Sequence, residues 1–174
     1  LTFDDGPTPG ITDKVLDLLQ QYKAEATFFV CGKHVKLHPD LYRKIKDSGH
    51  SVGNHTYQHI SGWKTSTGKY LSDVEKTGEY VRSKLFRPPY GKLKFRQYLY
   101  LRKKFRIIIW DVMCMDFDRN TDPQTCFGHI SNHAGKGSII VFHDSAKAAA
   151  NMLYALEQTL MVFSGKGYRF EKLQ

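Results

Sequence analysis

The feature that most constrains this chain is an alternation. Short apolar or β-branched runs are separated by segments whose apolar residues recur at helical spacing. Leu1–Phe3 ends the first run, and Ile11, Val15, Leu18, Leu19 and Tyr22 then fall on one side of a helix. Ala26–Val30 reads as a buried strand. Leu37, Leu41 and Ile45 mark a second helix, with Pro39 suited to its first turn and Gly49 to its end. Ser51-Val52 is a short strand, Ser61–Lys69 a polar loop, and Tyr70–Val81 a weaker helical segment interrupted by Gly78. Leu85-Phe86 stops at Pro88-Pro89, Leu93–Lys104 reads as helix, and Phe105–Trp110 as the clearest strand. Asp122-Pro123 caps a helix to Asn132, Ser138–Phe142 is a strand, Ala148–Phe163 a helix and Tyr168–Phe170 a last strand. Alternation of this kind predicts an α/β fold around a parallel sheet, open or closed as a barrel, with about seven strand–helix units.

A length of 174 residues fits one domain. No apolar stretch is long enough to span a membrane. Cys31, Cys114 and Cys126 are too few and too scattered for a disulfide scaffold or a cysteine-rich zinc site. The chain opens at Leu1, directly in a polar motif. The expectation is therefore a single domain over 1–174 that lacks its natural N-terminal segment, and with it any targeting signal.

Polar residues able to do chemistry follow apolar runs five times: Asp4-Asp5, His55 with His59, Arg87, Asp111 with Asp116, and His143-Asp144. In parallel α/β folds the ligand site lies beyond the carboxyl ends of the strands, so these clusters are expected to converge on one face. His55 and His59 are four apart, and a helical turn would put both imidazoles on one side. The plain alternative is a hydrogen-bonded structural pair. With Asp5 they make a three-ligand set with open positions, as in catalytic zinc sites, although non-haem iron oxygenases use the same ligands. Asp4 and Asp5 could form an ordinary turn before Gly6-Pro7, or divide their labour, one binding the metal and the other serving as general base. His143 is either a buried structural histidine or a proton donor kept charged by Asp116 or Asp111. Arg87-Pro88-Pro89-Tyr90-Gly91 is either a rigid loop or a device that pins a catalytic Asp and offers a backbone N–H to an oxyanion.

Taken together, Thr2-Phe3-Asp4-Asp5-Gly6-Pro7, His55-Thr56-Tyr57-Gln58-His59, Arg87-Pro88-Pro89-Tyr90-Gly91, Trp110-Asp111 through Asp116-Phe117, and Val141-Phe142-His143-Asp144 resemble the five ordered motifs of the polysaccharide deacetylases. This is the NodB-homology domain of carbohydrate esterase family four. The resemblance implies a distorted (β/α) barrel and a metal-dependent hydrolase that removes N-acetyl groups from N-acetylglucosamine-containing glycans such as peptidoglycan, chitin oligomers or exopolysaccharides. In some members it removes O-acetyl groups from xylan. It implies Asp4 as general base, with Asp5, His55 and His59 on a divalent metal, zinc first, cobalt or nickel as alternatives. It implies Arg87 orienting Asp4, the Tyr90 N–H at the oxyanion, His143 as general acid tuned by Asp116, and Phe117 and Val141 around the acetyl methyl. Phe117 stands where members commonly carry Trp, and Met113 where they often carry Asp; the latter bears on substrate preference.

The net charge is +9. Between Tyr80 and Trp110 there is no Asp or Glu, and ten cations fall there, leaving sixteen against seventeen acids elsewhere. A solvated helix face accounts for this; a surface that docks nucleic acid or an acidic envelope polymer is the sharper reading. The expected partner is an acetylated glycan met outside the cell or in its envelope, and nucleic acid is not expected. An inert binding module is the remaining alternative.

Overall fold

A computed structural model describes residues 1–174. The elements run β1 (Thr2–Asp4), α1 (Thr12–Gln21), β2 (Thr27–Val30), α2 (Gly32–Leu37), α3 (Pro39–Asp47), β3 (Ser51–Asn54), α4 (Thr67–Thr77) and β4 (Leu85–Phe86). After a 3-10 turn at Pro89–Gly91 come α5 (Phe95–Leu101), β5 (Arg106–Ile107), β6 (Val112–Met113), α6 (Pro123–His133), β7 (Ile140–His143) and α7 (Ala149–Gly165). The seven strands form one parallel sheet in the order β5-β4-β3-β2-β1-β7-β6. No helix is long and apolar enough to cross a membrane.

Chain geometry forces this sheet to curl. β5 and β6 are its opposite edges, yet only Ile108–Asp111 lie between them. Five Cα steps reach at most about 19 Å, whereas six strand spacings in a flat sheet need about 29 Å. The result is the expected distorted barrel, a curled half-barrel with the helices outside.

Strand alternation sorts the two faces. Phe3, Phe28 and Phe142 point outward from three adjacent strands, their rings stacked at 4.9 and 5.5 Å, into a core shared with α1, α6 and α7. The intervening residues point inward: Thr2 and Asp4 from β1, Phe29 from β2, Val141 and His143 from β7, with Arg87 just beyond β4. Asp122 caps α6 by accepting from the Thr125 N–H at 2.9 Å, as its sequence predicts.

Two expectations are corrected. The strand expected over Phe105–Trp110 is only two residues long, because β5 is an edge and the chain leaves it at once to cross to β6. Tyr168–Phe170 forms no strand; the tail lies beside Glu25, joined there by one backbone bond from the Glu25 N–H to the Phe170 carbonyl. Between the strands, two helices separate β2 from β3 and none separates β5 from β6.

Candidate active site

Asp4 ends β1 and pairs in register with His143, which ends β7. His55 follows β3 and Arg87 follows β4 directly. Strand ends therefore bring these four side chains to one rim, as expected from their positions after apolar runs.

Arg87 organises the centre. It is fully buried, and its guanidinium donates to Asp4 Oδ1 at 2.8 Å, to Thr2 Oγ1 at 2.7 Å and to the Ile108 carbonyl at 3.3 Å. It lies over the Phe29 ring at 4.2 Å and near Trp110 at 5.6 Å. Its backbone carbonyl accepts from His55 Nδ1 at 2.7 Å. A carbonyl can only accept, so the His55 proton sits on Nδ1 and the Nε2 lone pair is free. Burial holds the His55 pKa below the usual histidine value, which favours that neutral form.

The His55 and His59 rings lie 5.1 Å apart. No helical turn brings them together, contrary to expectation. The loop bends through left-handed backbone at Thr56 and His59 (φ 63 and 56). It is pinned by the Asp73 carboxylate, which accepts from the Tyr57 and Gln58 N–H groups at 2.7 and 3.0 Å, and by Asn54, which accepts from the Thr56 N–H at 2.9 Å.

Asp5 completes the cluster, with its Oδ1 3.1 Å from His59 Nε2 and 3.8 Å from His55 Nε2. One ligand atom from each residue lies within 4.8 Å of the others. Asp5 Oδ1 is buried and has no hydrogen-bond partner. Burial opposes its charge, but His59 beside it and His143 across the rim outweigh that and hold the carboxyl well below the usual carboxylate range. An orphaned carboxylate oxygen facing a free imidazole lone pair is costly in a protein alone and is satisfied by a cation. These residues fit a divalent metal.

Across the rim, the Asp116 carboxylate holds His143 twice, accepting from its Nδ1 at 2.7 Å and its backbone N–H at 2.8 Å. Nε2 is left for the site. Burial alone would depress the His143 pKa; Asp116, with Asp4 and Asp5 beyond it, pushes it up to about 9. Asp111 is the wrong carboxylate for this task, being spent on the Ile139 N–H. Phe117 meets His143 edge-on at 5.1 Å, and Val141 lies buried two residues below it. Tyr90 has left-handed backbone (φ 61) and lays its ring 4.8 Å from that of His59. Gly91 permits this turn, and a Cβ there would press on Trp110 at 3.1 Å.

Sequence reasoning passed over two supports of Asp5. Asp144 is buried and accepts from the Gly6 N–H and the Thr12 hydroxyl. Burial pushes its carboxyl up to about 8 against those donors. His34, on α2, donates from Nδ1 to the Asp5 carbonyl at 2.7 Å. The short α2 carries few apolar residues and gives no periodic signal that would mark His34.

Residues 1–105 match the family model described as polysaccharide deacetylase. A peptidoglycan-N-acetylglucosamine deacetylase of Bacillus cereus is 33% identical over 177 residues, covering 98% of this chain and 83% of that protein. The peptidoglycan-N-acetylmuramic acid deacetylase PdaC of Bacillus subtilis is 34% identical over 97% of this chain, which spans only 36% of that relative. Among solved structures, a family 4 carbohydrate esterase from Streptomyces lividans in complex with acetate superposes with a TM-score of 0.88 at 30% identity, over 99% of this chain and 91% of that one. By fold, motif order and relatives, this chain belongs to the polysaccharide deacetylase family, and it is a deacetylase hydrolase.

Proposed function

We propose that this chain removes the N-acetyl group from an amino sugar within an acidic envelope glycan of the peptidoglycan type, as a single catalytic domain over 1–174. The observation that carries this reading is that Asp4 and His143, a carboxylate and an imidazole with separate partners, stand on adjacent strands beside the Asp5–His55–His59 cluster.

Asp5, His55 and His59 would hold a divalent ion, zinc first, with cobalt or nickel as alternatives. Such an ion supplies Lewis acidity, polarising the acyl oxygen and lowering the pKa of a water to ~7. Arg87 occupies Asp4 Oδ1 and leaves Oδ2 free towards the cluster, 3.8 Å from His55 Nε2. Asp4 takes the proton of the attacking water as the C–O bond forms. The Tyr90 N–H donates to the developing oxyanion. His143, charged through Asp116, then protonates the departing nitrogen as the C–N bond breaks, giving acetate and a free amine. Phe117 and Val141 line the place of the acetyl methyl.

Charge supports an acidic substrate. Segments 58–72 and 80–110 contain no Asp or Glu. They are joined beside the site by Trp63 Nε1 donating to the Leu93 carbonyl at 3.1 Å, Gln97 to Gly62 at 3.0 Å and Lys94 to Thr65 at 2.8 Å. Trp63, Tyr90 and Phe95 are exposed there among Lys64, Lys92 and Arg96. Aromatic faces with cations suit a carboxylate-bearing sugar strand, and such a strand is met in the envelope or outside the cell.

The test is acetate release from N-acetylglucosamine oligomers, peptidoglycan and acetylxylan, with Asp4→Asn and metal-stripped protein as controls. We expect release from the amino-sugar substrates, lost in both controls, with a KM for peptidoglycan that rises with salt. Full activity in either control overturns the assigned roles. Preference for acetylxylan makes the chain an O-acetyl esterase, and glycan binding without release makes it a binding module.

A further inference from the structure

Asp5 has left-handed backbone, with φ 84. A non-glycine residue is held there only by its surroundings. The peptide that follows it shows what does the holding. The Asp5 carbonyl accepts from His34 Nδ1 at 2.7 Å, and the Gly6 N–H donates to Asp144 Oδ1 at 2.9 Å. Both polar groups of the Asp5–Gly6 peptide are thus bound by side chains, one from α2 and one from the residue after β7.

The flanking peptides are fixed by backbone groups of the same two elements' surroundings. The Gly6 carbonyl accepts from the Cys31 N–H at 3.0 Å, and the Asp4 carbonyl from the Asp144 N–H at 3.1 Å. The other Asp144 oxygen accepts from Thr12, whose hydroxyl oxygen in turn accepts from the Thr8 N–H at 2.8 Å. Asp144 therefore ties the turn to the start of α1 as well. Gly6 lies so close to Asp144 that a Cβ would run into the carboxylate.

We propose that His34 and Asp144 are positioning residues that clamp the Asp5–Gly6 peptide from both sides and so aim the Asp5 carboxylate at the metal. The inference rests on the reading of Asp5 as a metal ligand. Neither residue offers a ligand atom to the cluster, and neither has a part in the proton transfers. Rotation of the clamped peptide about its flanking bonds would turn the Asp5 side chain away from His55 and His59. With the clamp, that rotation breaks two side-chain bonds in a mostly buried place. Supports of this kind behind a ligand typically change metal affinity 10–100-fold.

The test is cobalt affinity by chelator competition, together with the visible absorption of the bound cobalt, in wild type, His34→Ala, His34→Asn, Asp144→Asn and Asp5→Ala. Asn can place an amide donor near the position of imidazole Nδ1, so His34→Asn is the rescue. We expect His34→Ala to weaken cobalt binding about 10–100-fold and to alter the absorption, His34→Asn to restore most of both, and the melting temperature of metal-free protein to be nearly equal in these two variants. Asp144→Asn, which keeps an oxygen for Gly6 and turns an amide donor towards Thr12, should fall between His34→Ala and wild type. Wild-type affinity and spectrum in His34→Ala would overturn the clamp alone. So would losses that follow metal-free stability without rescue by Asn. Unchanged affinity in Asp5→Ala would overturn the ligand assignment and the clamp with it.

Discussion

Arg87 and Asp4 form a buried pair at 2.8 Å, and the same arginine's carbonyl fixes the tautomer of His55. One residue thus sets both the candidate base and a candidate metal ligand. Removing it leaves a buried carboxylate without its counter-charge. We expect Arg87→Ala to cost about 3–5 kcal/mol in denaturant unfolding. Adding Asp4→Ala should recover part of that loss, because the orphaned charge is gone.

The pH dependence follows from His143. Its folded pKa, about 9, lies above the ordinary value of 6.5. The stability from its pairing with Asp116 is therefore fully present below 6.5 and is lost as pH rises through about 9. An NMR titration of metal-free protein should show this ring titrating near 9. Asp116→Asn should move the titration, and the alkaline limb of kcat/KM, to lower pH. A limb that stays in place would remove Asp116 from its assigned role.

Metal should stabilise the fold by mass action. At a free concentration 100 times Kd the gain is about 2.7 kcal/mol, read as a rise in melting temperature. His59→Ala removes one of three candidate ligands and should abolish most of that rise, with little change in the metal-free transition, since this ring is partly exposed.

Gly6→Ala puts a methyl against the Asp144 carboxylate. We expect a cost of about 1–3 kcal/mol in unfolding, together with weaker cobalt binding. Ala at Gly10, where a Cβ would meet nothing, should leave cobalt binding unchanged despite its left-handed backbone.

Much of this was legible because strand ends carry the chemistry. Asp4, Arg87 and His143 each follow an apolar run, and the topology needed only parallel strands to gather them. The helices α1, α3 and α7 were legible from apolar spacing. What sequence did not carry was local and short. The two-residue strand β6 has no pattern length to detect, and Phe105–Trp110 resembles a full strand because Phe105, Ile107 and Ile108 are apolar for packing against Phe86 and Leu85. The His55–His59 approach comes from loop backbone pinned by Asp73, a contact across 15 or more residues that spacing cannot reveal. Asp144 was visible beside His143, but its task depends on Gly6, 138 residues away.

The register that sets Asp4 opposite His143 places the proposed taker and giver of protons on one rung, across neighbouring strands of a single hydrogen-bonded ladder. Their separation is a property of the sheet, not of any loop. The surrounding segments, Trp63 and Lys92 among them, can therefore be rewritten for a different polymer while the distance over which the proton inventory is kept stays constant.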